Sequence, residues 1–339
     1  MRRIAAPSLI FGLIILLPLA AMVSLTLGTV DISLADGLNA IVGNSSSAQI
    51  NTILFDIRLP RILLAISVGA VLASTGAVMQ GLFRNPLADP SLIGVSSGAS
   101  VGASLMIVTT GGFIQVGALM GLSLVALGAF LGGFAATLLV YRLATSNIGT
   151  SVTTMLLAGI AIGALAGALN SLLSYFSDND MLRQISLWQM GNLSGASWAK
   201  VSIMGVVAVL LLVSFPRESK ALNALLLGES EARHLGIDVQ RVKRRLIVLT
   251  ALGVGVSVAL AGLVGFVGLI IPHMVRLVIG PDHRWLIPAS ALAGATLLVI
   301  ADSLARIVVI PAELPTGILT ALLGAPFFVA LLLQQRKDV

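Results

Sequence analysis

Residues 216–245 read PRESKALNALLLGESEARHLGIDVQRVKRR, the longest stretch of this chain that cannot be placed inside a lipid bilayer. Seven basic residues (Arg217, Lys220, Arg233, Arg241, Lys243, Arg244, Arg245) and four carboxylates (Glu218, Glu229, Glu231, Asp238) fall within it. The pattern is not that of a loose linker. Leu222, Leu225, Leu226, Ala232 and Leu235 recur at roughly helical spacing, and Gly228 and Gly236 punctuate two short turns of helix. A small amphipathic helix pair at a membrane surface either lies in the headgroups or docks to a soluble partner. The basic run from Arg241 to Arg245 favours the lipid reading. Glu229 and Glu231 favour a partner, because carboxylates gain nothing from an anionic leaflet. The partner reading leads.

Outward from this stretch, nearly everything is apolar. Of the 339 residues 57% are hydrophobic and 10% charged, where a soluble domain carries about 25% charged residues. The expected class is therefore an all-α polytopic membrane protein, a single transmembrane domain over 1–339 with 216–245 as its one large polar segment. The apolar run from Leu9 to Leu27 exceeds the ~7–15 residue core of a cleavable signal and is expected to stay as the first helix. Nine more spans are expected at about 61–83, 92–110, 116–141, 150–174, 199–215, 246–264, 266–279, 286–308 and 316–333, judged against the ~20 residues a crossing needs. The eighth is short and contains Pro272, so a broken or tilted helix is expected there.

Ten crossings put both termini on one side. With those termini in the cytoplasm, only Arg58, Arg61, Arg183, Lys200 and Arg306 of the 20 Lys and Arg residues fall outside. That bias satisfies the positive-inside rule and makes 216–245 cytoplasmic. It also explains the net charge of +6 without nucleic acid.

What the chain lacks narrows its chemistry. There is no Cys, so no thiol catalysis and no thiolate metal site. None of the lysines follows a glycine, so there is no phosphate-binding P-loop, and His234, His273 and His283 have no ligand spacing. The reading is of a transport subunit and not an enzyme. Asp302 is the clear membrane-embedded acid, with Arg306 one turn later as its partner. An ion-coupled carrier needs more buried ionisable groups than this, so energy should enter through the cytoplasmic segment.

Thirty-five glycines, many of them four apart (Gly94/Gly98/Gly102, Gly117/Gly121, Gly128/Gly132, Gly159/Gly163/Gly167), let helix backbones approach closely in lipid. The fifth span turns polar along Gly159, Gly163, Gly167, Asn170 and Ser174, with Thr150, Ser151, Thr153 and Thr154 crowding its inner end. It reads either as a pathway liner or as a helix whose Ser and Thr bond their own backbone. On the outer side, Arg58, Arg61 and Arg306 run against the charge bias. Snorkelling to lipid phosphates is one explanation; pairing with carboxylates on an extracytoplasmic protein is the other.

The segments IRLPRILLAISVGAVLASTGAVMQGLFRNPLADPSLIGVSSGASVGA (57–103), LLLGESEARHLGI (225–237), GFVGLIIPHMVRLVIGPDHRWLIPASALAGA (265–295) and AELPTGILTALLGAPFF (312–328) resemble the permeases of type II ABC importers for iron-siderophores, haem and cobalamin, the FecCD-like family. The resemblance covers nearly the whole chain. It implies ten helices per subunit, a homodimer in the bacterial inner membrane with the pathway between subunits, and no cofactor on this chain. It also implies two cytoplasmic subunits that bind ATP and Mg, and a periplasmic substrate-binding protein. By the same resemblance Arg58, Arg61 and Arg306 meet carboxylates of the binding protein, and Leu227, Gly228, Glu229, Ala232, Leu235 and Gly236 form the ATPase-coupling helices. Val152, Thr153 and Thr154 match the cytoplasmic gate region, without an identical run.

Residues Tyr175 to Trp198, YFSDNDMLRQISLWQMGNLSGASW, are similar to the corresponding segment of haem permeases, with departures at Leu187-Trp188 and Gly191-Asn192. Haem therefore leads the substrate expectation, ahead of siderophores and then cobalamin. No His falls on the expected pathway, so a weakly binding conduit is expected rather than a haem-iron ligand. Two other classes stay open: an ion-coupled secondary carrier, and a scaffold whose central segment recruits a cytoplasmic protein without transport.

Overall fold

The structure, a computed structural model, describes residues 4–28, 30, 32–33, 39, 48–110, 124–146 and 149–335. In chain order its helices are α1 (Ala6–Thr26), α2 (Ala48–Leu82), α3 (Val95–Thr110), α4 (Leu124–Ala144), α5 (Val152–Tyr175), α6 (Asn179–Gln189), α7 (Trp198–Arg217), α8 (Ser219–Leu225), α9 (Glu229–His234), α10 (Val239–Ala261), α11 (Val267–Ile279), α12 (His283–Ile307) and α13 (Thr316–Gln335). Seven are long and apolar enough to cross a membrane, and α3, α11 and α13 are shorter apolar helices. These are the ten expected crossings; α6, α8 and α9 are small helices between them. One two-stranded hairpin, β1 (Thr145–Ser146) with β2 (Gly149–Thr150), links α4 to α5.

The largest departure from expectation is α2. Expected to begin near residue 61, it runs back to Ala48 through a π-helical segment, Thr52–Arg58. Arg58 and Arg61 do not stop it, because the interior supplies partners for both. Elsewhere, expected span four begins at Leu124 among the described residues, and Gly117 and Gly121 lie outside them. Helix α11 has 13 residues, encloses Pro272, and starts inside the bundle after an irregular turn, Gly262–Phe266. Pro272 sits in the second turn of α11 and does not divide the helix.

Small residues set the packing. A Cβ on Gly98 would overlap the Gly132 carbonyl, and one on Gly102 the Gly128 carbonyl, so α3 and α4 lie backbone to backbone. Gly69 of α2 and Gly294 of α12 make the same approach. Between α2 and α3 the chain turns through Asp89, whose side chain accepts from Ser91 N at 2.8 Å and caps the short 3-10 turn Pro90–Ile93. The Leu92 carbonyl at the end of that turn lies against Gly159 of α5.

Candidate functional site at the two ends of the bundle

At one end of the bundle the structure gathers Arg58, Arg61 and Arg306 around the C-terminal turn of α1. They do not form an exposed patch. All three are buried, and each guanidinium is engaged within the chain. Arg61 donates from Nε to Asp302 Oδ2 at 2.9 Å and from Nη2 to Asp302 Oδ1 at 3.0 Å, while its Nη1 donates to Glu313 Oε2 at 2.7 Å. Arg306 lies 3.5 Å from Asp302 and donates to the carbonyls of Leu27 and Ser24 at 3.0 and 3.1 Å. Arg58 donates to the carbonyls of Leu25 and Val30. Thr316 Oγ1 completes the Asp302 shell at 2.9 Å. One carboxylate thus joins α2, α12 and α13. The expected partner of Asp302, Arg306, is present, yet the bidentate partner is Arg61, which comes from 241 residues away.

The fifth-span residues divide. Gly159 packs within the chain, whereas a Cβ on Gly167 would meet nothing and one on Gly163 only Ser97 Oγ in ordinary contact. Gly163 and Gly167 therefore serve no close backbone packing inside the subunit. Asn170 Nδ2 donates to Ser100 Oγ at 3.0 Å, Gln189 Nε2 donates to the same hydroxyl at 3.2 Å, and Ser174 is half-buried nearby. At the other end of α5, Ser151 caps the helix through Thr154 N, and Thr153 and Thr154 are exposed beside half-buried Val152. Ser171 does bond its own backbone, to Gly167 O.

At that other end α8 and α9 form the helix pair expected from 216–245. Leu222, Leu225 and Ala232 are buried beneath it, and Leu227 and Leu235 stand out at 70% and 65% exposure. Gly228 has φ 134° and Gly236 φ 82°, conformations glycine alone adopts freely, so both glycines shape the pair. Ala232 supports the pair from below and offers no outer contact. Asn223 of α8 ties the pair to α12: its Nδ2 donates to Asp282 Oδ1 at 2.6 Å and its Oδ1 accepts from His283 N at 2.9 Å. Burial works against the charge of Asp282, but the hydrogen bonds from Asn223 and Arg284 N and the nearby cation hold its carboxyl below the ordinary value.

Comparison with known proteins places this geometry. Residues 15–334 match the model of the FecCD transport family. The chain belongs to that family. It is 43% identical over 333 residues to the hemin transport system permease protein HmuU of Yersinia pestis, across 98% of this chain and 97% of that protein. To the cobalamin import system permease protein BtuC of Halobacterium salinarum it is 46% identical over 293 residues, 86% of this chain and 75% of that one. A solved structure described as an inward-facing conformation of a metal-chelate type ABC transporter superposes with a TM-score of 0.85 at 36% identity, covering 97% of this chain and 99% of that chain.

In this FecCD-family chain, sequence reasoning missed Glu313, Asn223 and Asp282. Glu313 stood in the motif AELPTG, but nothing local signals that its partner is Arg61. Asn223 and Asp282 lie 59 residues apart. Asp282 just before a helix start is a readable cap signal, and its side chain does accept from Arg284 N.

Proposed function

We propose that this chain is the membrane permease subunit of an ATP-driven importer, working as a homodimer with two cytoplasmic ATPase subunits and a periplasmic binding protein in the bacterial inner membrane. The observation that carries the reading is the α8–α9 pair. A buried apolar face anchors two protruding leucines on a polar surface, a shape suited to insertion in a groove of a soluble protein. The substrate is haem or an iron(III)-siderophore; the match to the hemin permease is the longer, 333 residues against 293, which favours haem, and cobalamin is the alternative. Alternating access at the dimer interface would use the face of α5 that bears Gly163, Gly167, Asn170 and Ser174, with Val152, Thr153 and Thr154 at the cytoplasmic gate. ATP and Mg belong to the partner ATPase.

Docking of the binding protein falls to Arg58, Arg61 and Arg306, reached by way of Glu313. Because Glu313 is 36% exposed while Arg61 is buried, an incoming carboxylate meets Glu313 first and competes with it for Arg61 Nη1. The test of the whole reading is ATP hydrolysis in proteoliposomes holding the permease and its ATPase. Stimulation by the binding protein loaded with haem, a siderophore or cobalamin supports the importer and names its substrate. Uptake driven by an ion gradient in vesicles of this chain alone would replace it with a secondary carrier.

A further inference from the structure

Lys243 counted in the sequence as one of seven basic residues on a cytoplasmic segment. In the fold it is the only lysine buried among the described residues, at 2% exposure. Its Nζ donates to Glu229 Oε1 at 2.6 Å and to the Thr150 carbonyl at 2.9 Å. Glu229 is the first residue of α9, and Thr150 ends the hairpin that leads through Ser151 into α5. One turn earlier on α10, Gln240 Oε1 accepts from Thr150 N at 3.0 Å, so α10 holds both polar groups of that peptide residue. A cavity of about 400 Å³ lined by Tyr141, Thr145, Gly149, Gln240 and Arg241 lies beside the hairpin and leaves it room to shift.

We propose that Lys243 is the positioning residue that transmits movement of α9 to the hairpin and the gate end of α5, an inference that rests on the permease reading above. A buried ammonium that loses its carboxylate is left uncompensated, which is strongly unfavourable. When a bound ATPase displaces α9, the Glu229–Lys243 pair therefore moves as a unit. The Thr150 carbonyl, held by the same Nζ, is drawn along, and it stands two residues before Val152. The link is a contiguous chain of two hydrogen bonds between α9 and the residue two before Val152, one physical route by which coupling can be carried.

The test uses the full complex of permease, ATPase and binding protein in proteoliposomes, with transport per ATP hydrolysed as the readout. Lys243→Met should keep the ATPase bound and hydrolysing ATP while transport per ATP falls by about tenfold. Because the chain has no Cys, a Thr153→Cys reporter gives a second readout. Its reaction with a soluble thiol reagent should change with nucleotide in the parent and stay constant in Lys243→Met. Should Lys243→Met fail to fold, Lys243→Gln, which is neutral but still polar and leaves Glu229 in place, must show the same uncoupling. A wild-type transport ratio or retained nucleotide-dependent labelling in a folded variant overturns the proposal. So does joint loss of ATPase association in both variants, which would make Lys243 a structural residue. If the unmodified chain binds no ATPase, it is the permease reading that fails.

Discussion

Arg61 grips Asp302 with two nitrogens on two oxygens, at 2.9 and 3.0 Å, in a pair exposed by only 5% and 1%. Such a pair is strong evidence of position and weak evidence of stability, since both charges lost their water to form it. Removing one side is different, because the other charge stays buried without its bidentate partner. Asp302→Ala should destabilise the purified protein by about 3–5 kcal/mol. Asp302→Ala combined with Arg61→Met should cost clearly less than the two changes summed. Thermal unfolding in detergent measures both. Strict additivity would show that the two residues do not act as a pair. Arg61→Glu, which sets two carboxylates face to face, should lower yield as well as any docking.

Glu313 closes the same site from the exposed side. A half-exposed ion pair contributes about 0–1 kcal/mol, so Glu313→Gln should tighten capture of the binding protein up to about fivefold by releasing Arg61 Nη1 for an incoming carboxylate. The gain should shrink with added salt. Binding of the loaded protein to permease in nanodiscs at low and high ionic strength reads it directly. Weaker capture by Glu313→Gln would mean that Glu313 itself is a docking contact.

The fold was legible because a bilayer enforces it: a crossing needs about 20 apolar residues, and nine of the ten expected runs come near that length, the eighth being shorter. The α8–α9 pair was legible for the opposite reason, as a polar stretch in which Leu222, Leu225, Leu226, Ala232 and Leu235 recur at helical spacing around Gly228 and Gly236. The state of the arginines was not. Arg58 and Arg61 flank Leu59-Pro60, which reads as a helix start, and only the tertiary partners Asp302, Leu25 and Val30 show that α2 continues through them. Lys243 was hidden in the same way. A charge beside other charges looks solvated until the fold places Glu229 and Thr150 over it.

Two glycine positions separate packing inside the subunit from use at its surface. Gly102→Val would drive its side chain into the Gly128 backbone, which cannot yield as a flexible side chain can. It should lower stability and yield. Gly167→Val finds open space within the subunit and should leave the melting temperature of the isolated subunit near that of the parent. If α5 faces a second copy, Gly167→Val should instead shift the dimer equilibrium or reduce uptake. Unchanged assembly and unchanged uptake would remove that part of α5 from the interface and from the pathway.

The α8–α9 pair offers the sharpest contrast, because its two faces predict opposite phenotypes. Leu235, which follows α9 as its C-cap, is 65% exposed, and Ala232 three residues earlier in α9 is fully buried. Burying a leucine against a partner is worth about 1.5–3 kcal/mol, roughly ten- to a hundredfold in affinity. Leu235→Asp should therefore release the ATPase by at least that factor while the permease still inserts, elutes as a single species and melts as the parent does. Ala232→Asp buries a carboxylate without a partner and should instead unfold the pair, with protease cleavage between Leu225 and Ile237 as the sign. Gly228→Arg belongs with the second class, because φ 134° is a conformation that an arginine rarely adopts. Co-purification of the ATPase with each variant, beside limited proteolysis, distinguishes the faces. If Leu235→Asp retains the ATPase at parental affinity, the protruding leucines face lipid headgroups and the basic run from Arg241 to Arg245 gives the better account of this segment.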